Sequence, residues 1–243
     1  MSIQTRLIDY VDGDTVFEGL MAWDGRTAGP RPGIMIAHTI AGRSDFEEDR
    51  AHQLAQLGYV GFAIDVYGKG TQGSDLDKNR AWMTSLGEDR PLLQRRLLSA
   101  LSAMRAQPEV DAANVAAIGF CFGGLCALDV ARVGADVAGV ASFHGILSAP
   151  GNTAGNRIGA KVLVLHGWGD PLAKPEEVVS LADELTSMGA DWQMHAYGNT
   201  MHAFTNPSAS DPDSGKQYSE IVNRRSWIAM QNFFAELFGE QGE

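Results

Sequence analysis

Short apolar runs along the chain alternate with longer segments in which apolar residues recur every three or four positions. The runs cover residues 33–37, 60–64, 115–120, 137–143, 162–166 and 192–197. Most are unbroken rather than alternating, which is the pattern of strands covered on both faces by crossover helices. The intervening periodicity predicts helices over 45–57, 77–106 with a break near 87–91, 123–133, 175–188 and 216–238. Pro175, Glu176 and Glu177 suit a helix first turn, and Gly58, Gly134 and Gly189 suit helix ends.

The first 30 or so residues read differently. Residues 15–21 alternate weakly beside the turn signal Asp12-Gly13, which predicts an antiparallel hairpin at one sheet edge. The repeated strand, helix, strand order then predicts an α/β protein with a mainly parallel central sheet and helices on both faces. Neither a repeat nor a linker interrupts it, so 1–243 reads as a single domain. In such sheets the chemistry sits at the carboxyl ends of the strands.

One strand end carries a distinctive sequence. The run at 115–120 leads into Gly119-Phe120-Cys121-Phe122-Gly123-Gly124 and then a helical segment. This is the strand, sharp turn, helix context of a G-x-S-x-G nucleophile elbow, with Cys121 in place of serine. The flanking glycines make room for a strained turn, and a helix N-terminus favours a thiolate. The plainer alternative is a small core cysteine in a glycine-rich turn.

An elbow nucleophile needs an acid and then a histidine further along, each on a loop after a strand. Gly167-Trp168-Gly169-Asp170 follows the run at 162–166, and Gly198-Asn199-Thr200-Met201-His202-Ala203-Phe204 follows that at 192–197. The order Cys121, Asp170, His202 is the order this architecture uses. The other histidines are weaker candidates. His38 ends the first parallel strand and can line the site, while His144 and His166 stand at strand ends where a ring N–H can satisfy a backbone carbonyl. Neither H-x-H nor H-E-x-x-H occurs, so no metal centre is expected.

Composition narrows the partners. Nineteen Lys and Arg against 30 Asp and Glu leave a net charge of −11, which repels nucleic acid and anionic membranes. No apolar run approaches the roughly 18 residues of a spanning helix, and the N-terminal residues lack a signal-type pattern, so the expected location is the cytoplasm. The two cysteines, Cys121 and Cys126, five apart, cannot approach closely enough to bridge without distortion if both lie on or next to one helix.

Taken together, the Gly119–Gly124 turn, His166-Gly167-Trp168-Gly169-Asp170, His202-Ala203-Phe204 and Asp65-Val66-Tyr67-Gly68 resemble the dienelactone hydrolase family of α/β-hydrolases over almost the whole chain. The resemblance implies a cofactor-free triad of Cys121, His202 and Asp170, with an oxyanion hole from the backbone N–H groups of Ile40 and Phe122. At two positions the chain departs from family members that hydrolyse dienelactone. Thr39 stands where they have a glutamate in the oxyanion loop, and Asn206 where they have an arginine for the substrate carboxylate.

Losing a bidentate cationic clamp removes the reason to prefer an anionic lactone, so a neutral or apolar substrate is expected. Arg80 or Lys78 can compensate, or else be solvated surface. His38, Thr39, Tyr67, Arg80, Trp82, Trp168, Met201, Phe204 and Asn206 are the candidate pocket residues, with Phe46 and Phe122 as further aromatic candidates, although aromatic residues also fill cores. The expected partner is a small ester or lactone, and the partner set leaves room for a homodimer. Neutral phosphotriesters form a second substrate class, and a catalytically inactive scaffold that binds a small ligand is the alternative to any enzyme.

Overall fold

In a computed structural model, which describes residues 2–71, 73 and 75–239, the N-terminal hairpin is built from β1 (Ile3–Asp12) and β2 (Thr15–Asp24). Asp12 pairs with Thr15, so the turn falls on Gly13-Asp14, one residue later than the sequence signal, with Gly13 at a φ of 57°. The chain divides into two units, one reaching Ala117 and the other covering Ile118–Gly239.

In the first unit the strand order is β1-β2-β4-β3-β5, with β3 at Arg31–Ala37, β4 at Val60–Ala63 and the start of β5 (Val110–Phe120). β3 and β4 are parallel, while β2 joins β4 antiparallel. Ile34, Met35, Ile36, Val60 and Phe62 are completely buried, as unbroken apolar runs should be. Helix α1 (Asp45–Gln56) packs on β2, β3 and β4. That approach requires Gly61, since a Cβ there would come 2.7 Å from the Ala51 backbone.

The predicted break in the long helical segment falls at Asp89, between α2 (Leu76–Glu88) and α3 (Arg90–Arg105). The Asp89 side chain accepts the Leu92 N–H at 3.0 Å, and Pro91 occupies the first turn, which starts α3 afresh. Residues 72 and 74, ahead of α2, lie outside the described residues.

In the second unit the order is β5-β6-β7-β8, with β6 at Gly139–Phe143, β7 at Lys161–Gly167 and β8 at Trp192–Tyr197. β6, β7 and β8 run parallel. Helices α4 (Phe122–Arg132), α5 (Pro175–Ser187) and α6 (Glu220–Phe238) complete this unit. Arg132, fully buried, ties α4 to α5 through two hydrogen bonds to Glu184, at 2.9 and 2.7 Å, and donates to the carbonyls of Leu147 and Ser148. Paired and hydrogen-bonded in this way, its charge escapes the penalty of isolated burial.

Two expectations need correction. β8 is not covered on both faces: as the last strand of the order it has no fully buried residue, with Gln193 and Ala196 exposed and the other four half-buried. The final helix starts at Glu220, capped by the Ser219 side chain, rather than at residue 216. Residues 210–217 form instead a small hairpin of β9 (Ser210–Asp211) and β10 (Lys216–Gln217) around a 3₁₀ turn at Pro212–Ser214. Among the described residues, no helix is long and apolar enough to cross a membrane.

Candidate active site

Cys121 occupies the N-cap of α4 with φ 57° and ψ −115°, a conformation that a non-glycine residue adopts only under constraint. The constraint is visible on both sides. Its N–H donates to the Phe143 carbonyl at 3.1 Å, and its own carbonyl accepts the N–H groups of Gly124 at 3.0 Å and Ile146 at 3.3 Å. A Cβ on Gly119 would stand 1.9 Å from the Gly123 carbonyl oxygen, and one on Gly124 would stand 2.5 Å from the Gly145 Cα. The glycines therefore admit the tight turn itself. Cys121 stays half-buried at the helix end, whereas Cys126 is buried one turn on; neither is part of a disulfide.

The loops after β7 and β8 are laced together by backbone. Trp168 N–H donates to the Tyr197 carbonyl at 2.9 Å and Gly169 N–H to the Thr200 carbonyl at 2.8 Å. Gly167 allows the approach, because a Cβ there would lie 2.6 Å from the Thr200 oxygen. This lacing joins Asp170 to His202, both buried: the His202 Nδ1–H donates to Asp170 Oδ2 at 2.6 Å. The other carboxylate oxygen accepts the Leu172 N–H at 2.8 Å, so the carboxylate is itself held in orientation.

With Nδ1 bonded to a carboxylate, the lone pair of the neutral His202 ring lies on Nε2. Nε2 makes no hydrogen bond of ordinary geometry, and Cys121 acts on the ring together with Asp170. Burial pushes the His202 pKa down, but the bond to Asp170 and the interaction with Cys121 outweigh it and lift the ring to about 9. Imidazole and carboxylate are thus joined in a buried pair, with Cys121 acting on the same ring.

The small hairpin holds His202 from the other side. His202 N–H donates to the Gly215 carbonyl at 2.9 Å, and its carbonyl accepts the Gln217 N–H at 3.0 Å. Gly215 sits at φ 75° directly against Pro171. This clamp has no counterpart in the sequence reading. Its one signal is the turn-forming cluster Pro212-Asp213-Ser214-Gly215, which the helical periodicity of the residues that follow concealed.

The remaining histidines behave differently from expectation. His144 uses a hydroxyl, its Nε2 lying 2.8 Å from Thr205 Oγ1, rather than a backbone carbonyl. His166 is buried with neither ring nitrogen hydrogen-bonded; burial pushes its pKa down, more than the nearby Asp170 charge raises it. Phe204 is fully buried, edge-on to His144 and Tyr197, so it fills the interior instead of lining a pocket. Trp168 is 48% exposed and Met201 half-buried. The Asn206 side chain turns inward on its own loop, its Oδ1 accepting the Ser208 N–H at 2.9 Å.

In the first unit, His38 is buried with both ring nitrogens engaged, Nδ1 with the Thr39 carbonyl at 2.6 Å and Nε2 accepting the Val66 N–H at 3.2 Å. The loop at 39–42 is pinned by side chains. Tyr67 donates its hydroxyl to the Ile40 carbonyl, Asn79 donates to the Ala41 carbonyl, and Thr39 N–H donates to Glu47 Oε1 at 3.0 Å. Glu47 is completely buried, and that burial raises its pKa. A carboxylate therefore does reach Thr39, supplied from α1 eight residues on. Its sequence signal is the Ser44-x-x-Glu47 capping box. Trp82 packs its ring 5.5 Å from Tyr67, whereas Arg80 is exposed and paired with Asp77 on the helix surface.

A profile of the dienelactone hydrolase family matches residues 17–238. The chain belongs to the dienelactone hydrolase family. Its α/β-hydrolase fold is shared with a solved structure described as a dienelactone hydrolase-like promiscuous phosphotriesterase, P91, from metagenomic libraries. That protein is 40% identical, with a TM-score of 0.92 over 98% of this chain and all of that one. Among curated proteins, an uncharacterised Caenorhabditis elegans protein is 36% identical over 149 residues, 60% of this chain and 94% of its own. A probable 2-oxo-3-(5-oxofuran-2-ylidene)propanoate lactonase of Bradyrhizobium is 25% identical across 84% of this chain and 86% of its own. Within the dienelactone hydrolase family, then, this member combines a buried Asp170–His202 pair with a cysteine at the elbow and an asparagine at 206.

Proposed function

We propose that this dienelactone hydrolase-family hydrolase cleaves activated carboxylic esters or lactones with Cys121 as nucleophile, His202 as general base and Asp170 as the group that orients it. The observation that carries the reading is the buried 2.6 Å bond from His202 to Asp170, with the cysteine at a strained helix N-terminus acting on the same ring. Cys121 passes its proton to Nε2, and the thiolate adds to the substrate carbonyl. The resulting oxyanion is held by the Phe122 N–H at the start of α4, a donor that can lower the barrier by about 3 kcal/mol. The alkoxide or phenoxide leaves with the proton from His202, and a water deprotonated by His202 then hydrolyses the thioester.

A thiolate leaves more readily than an alkoxide, so the intermediate from a plain alkyl ester collapses backward. Aryl and enol esters escape that reversal because their leaving oxygen is the weaker base. The expected result is faster turnover of p-nitrophenyl than of ethyl esters of the same acid. Cys121→Ala and His202→Ala should each abolish it, and chelators should not. An inactive wild type, or variants at full rate, would instead support a ligand-binding scaffold.

A second reading has its own support. The 40% identical relative is described as a promiscuous phosphotriesterase, and Asn206 offers no cation for an anionic substrate. Neutral phosphotriesters are accordingly proposed as secondary substrates, attacked at phosphorus by the same thiolate. Paraoxon hydrolysis that survives chelators and disappears on alkylation of Cys121 supports it; activity lost to a chelator alone rules it out.

A further inference from the structure

Beyond Cys121, Asp170 and His202, the second unit buries two more histidines, and one of them touches the proposed base. The His144 ring lies 5.0 Å from the His202 ring at an interplanar angle of 69°. On its own Phe204 side it meets that ring at 4.9 Å and 83°, and its Nε2 is bonded to the Thr205 hydroxyl. We propose that His144 is a positioning residue for His202, holding the imidazole in register with the nucleophile through edge-to-face contact and through the Thr205 hydroxyl three residues further on. The inference rests on the reading of His202 as general base.

His144 is costly to place, which argues that the site constrains it. It is 1% exposed and sits at a φ of 38°, unfavourable for any residue with a side chain. Its N–H donates to the Leu165 carbonyl at 2.8 Å, at the end of β7, so the ring is anchored to the sheet rather than to the loop it braces. The next residue must be glycine, because a Cβ at 145 would stand 2.2 Å from Ser142 Oγ. The strained histidine therefore joins a rigid strand end to both ends of the 202–205 segment.

The chemistry requires such a brace. His202 must accept a proton from sulfur, hold it as imidazolium, release it to the leaving group and then take another from water. A ring free to swing loses its alignment at each step, and small misplacements of a base are expensive in rate. An aromatic ring set edge-to-face against the imidazole limits that swing while tolerating the transient positive charge. No other side chain bonded or stacked to His202, apart from Asp170, does this among the described contacts.

The test uses His144→Ala, His144→Phe and Thr205→Val in the full chain, with p-nitrophenyl acetate as substrate. His144→Ala should lower kcat by about tenfold or more with KM within about twofold. His144→Phe, which keeps the ring, should recover most of that loss. Thr205→Val, which replaces the hydroxyl by a methyl group, should lower kcat by about threefold at unchanged KM. In parallel, the Nδ1–H resonance of His202 should stay sharp in wild type and His144→Phe but broaden in His144→Ala. Unchanged kcat in folded His144→Ala, a phenylalanine variant as impaired as the alanine one, or a resonance insensitive to all three changes overturns the proposal. Should His144→Ala not fold, an unchanged kcat in Thr205→Val overturns it instead. The resonance needs no turnover, so it reports on His144 even where an inactive wild type has refuted the triad.

Discussion

The turn at Cys121 and the loop at His202 hold their residues by opposite means. The turn is local. Six consecutive residues contain Cys121 and the glycines that leave no room for a side chain, and the backbone bonds to Phe143 and Ile146 finish it. The loop is assembled from far along the chain: Asp170 lies 32 residues before His202, the clamping carbonyl of Gly215 lies 13 residues after it, and the ring of His144 comes from the residue that follows β6. A sharp steric requirement can be written into a short motif, whereas the orientation of a base requires several elements to agree.

That difference predicts a hierarchy of mutational effects. The most damaging change is Gly119→Ala, whose Cβ would stand 1.9 Å from the Gly123 carbonyl with backbone on both sides and nothing flexible to yield. Destabilisation beyond about 4 kcal/mol is expected, seen as loss of soluble protein or of the cooperative urea transition. A variant that folds with wild-type stability would show that the turn is looser than its geometry implies.

Asp170→Asn comes next and attacks the loop without moving its backbone. It should keep the fold and lower kcat by about 10³- to 10⁴-fold, since the amide can hold His202 in the wrong tautomer and cannot balance its charge. It should also change the pH dependence of stability. His202 titrates near 9 in the folded chain against an ordinary 6.5, so its protonation favours the fold. That contribution is fully present below pH 6.5 and is lost as pH rises through about 9. Its size is on the order of 3 kcal/mol. Urea unfolding of wild type between pH 6 and 10 should show the decline, and in Asp170→Asn the decline should shrink and move to lower pH. Equal slopes in both proteins would detach the carboxylate from the shift.

The same contrast explains what was legible in the sequence. Strands β3 to β7 and the elbow were readable because their signals are local, in unbroken apolar runs and in glycine spacing. Cys121, Asp170 and His202 could be lined up because each follows such a run. The β9–β10 hairpin was not readable: two-residue strands carry no periodicity, and Lys216 and Gln217 blended into the helix that follows. Phe204 was misjudged because an aromatic residue beside a catalytic loop serves a pocket and a core equally well in sequence, and only packing separates them. His144 was legible only as a strand-end histidine, since its partners come from the loop that follows β8.

Gly215→Ala tests the hairpin clamp at an intermediate level. The residue sits at φ 75° with Pro171 Cγ 2.2 Å from where a Cβ would be, but a loop can move where a sheet cannot. A cost of about 1 to 3 kcal/mol in stability is expected, together with about tenfold in kcat as His202 loses its backbone partner. Loss of stability without loss of rate would mean that Asp170 and His144 suffice to align the ring.

The smallest effect belongs to Ala203→Gly. Ala203, next to His202, holds a φ of 58°, where a Cβ is disfavoured by about 1 to 2 kcal/mol and glycine is at ease. Relief of that strain is opposed by the greater freedom that glycine brings to the unfolded chain, about 0.4 to 1 kcal/mol. The net stability gain should therefore stay within about 1 kcal/mol, measured as a small rise in the urea midpoint at unchanged slope. The backbone bonds of His202 to Gly215 and Gln217 do not involve the Ala203 side chain, so kcat should stay within about threefold of wild type. A clear destabilisation would show that the alanine methyl packs usefully despite its strain. A larger fall in rate at unchanged stability would show that the strained alanine stiffens the loop, and that His202 depends on local sequence as much as Cys121 does.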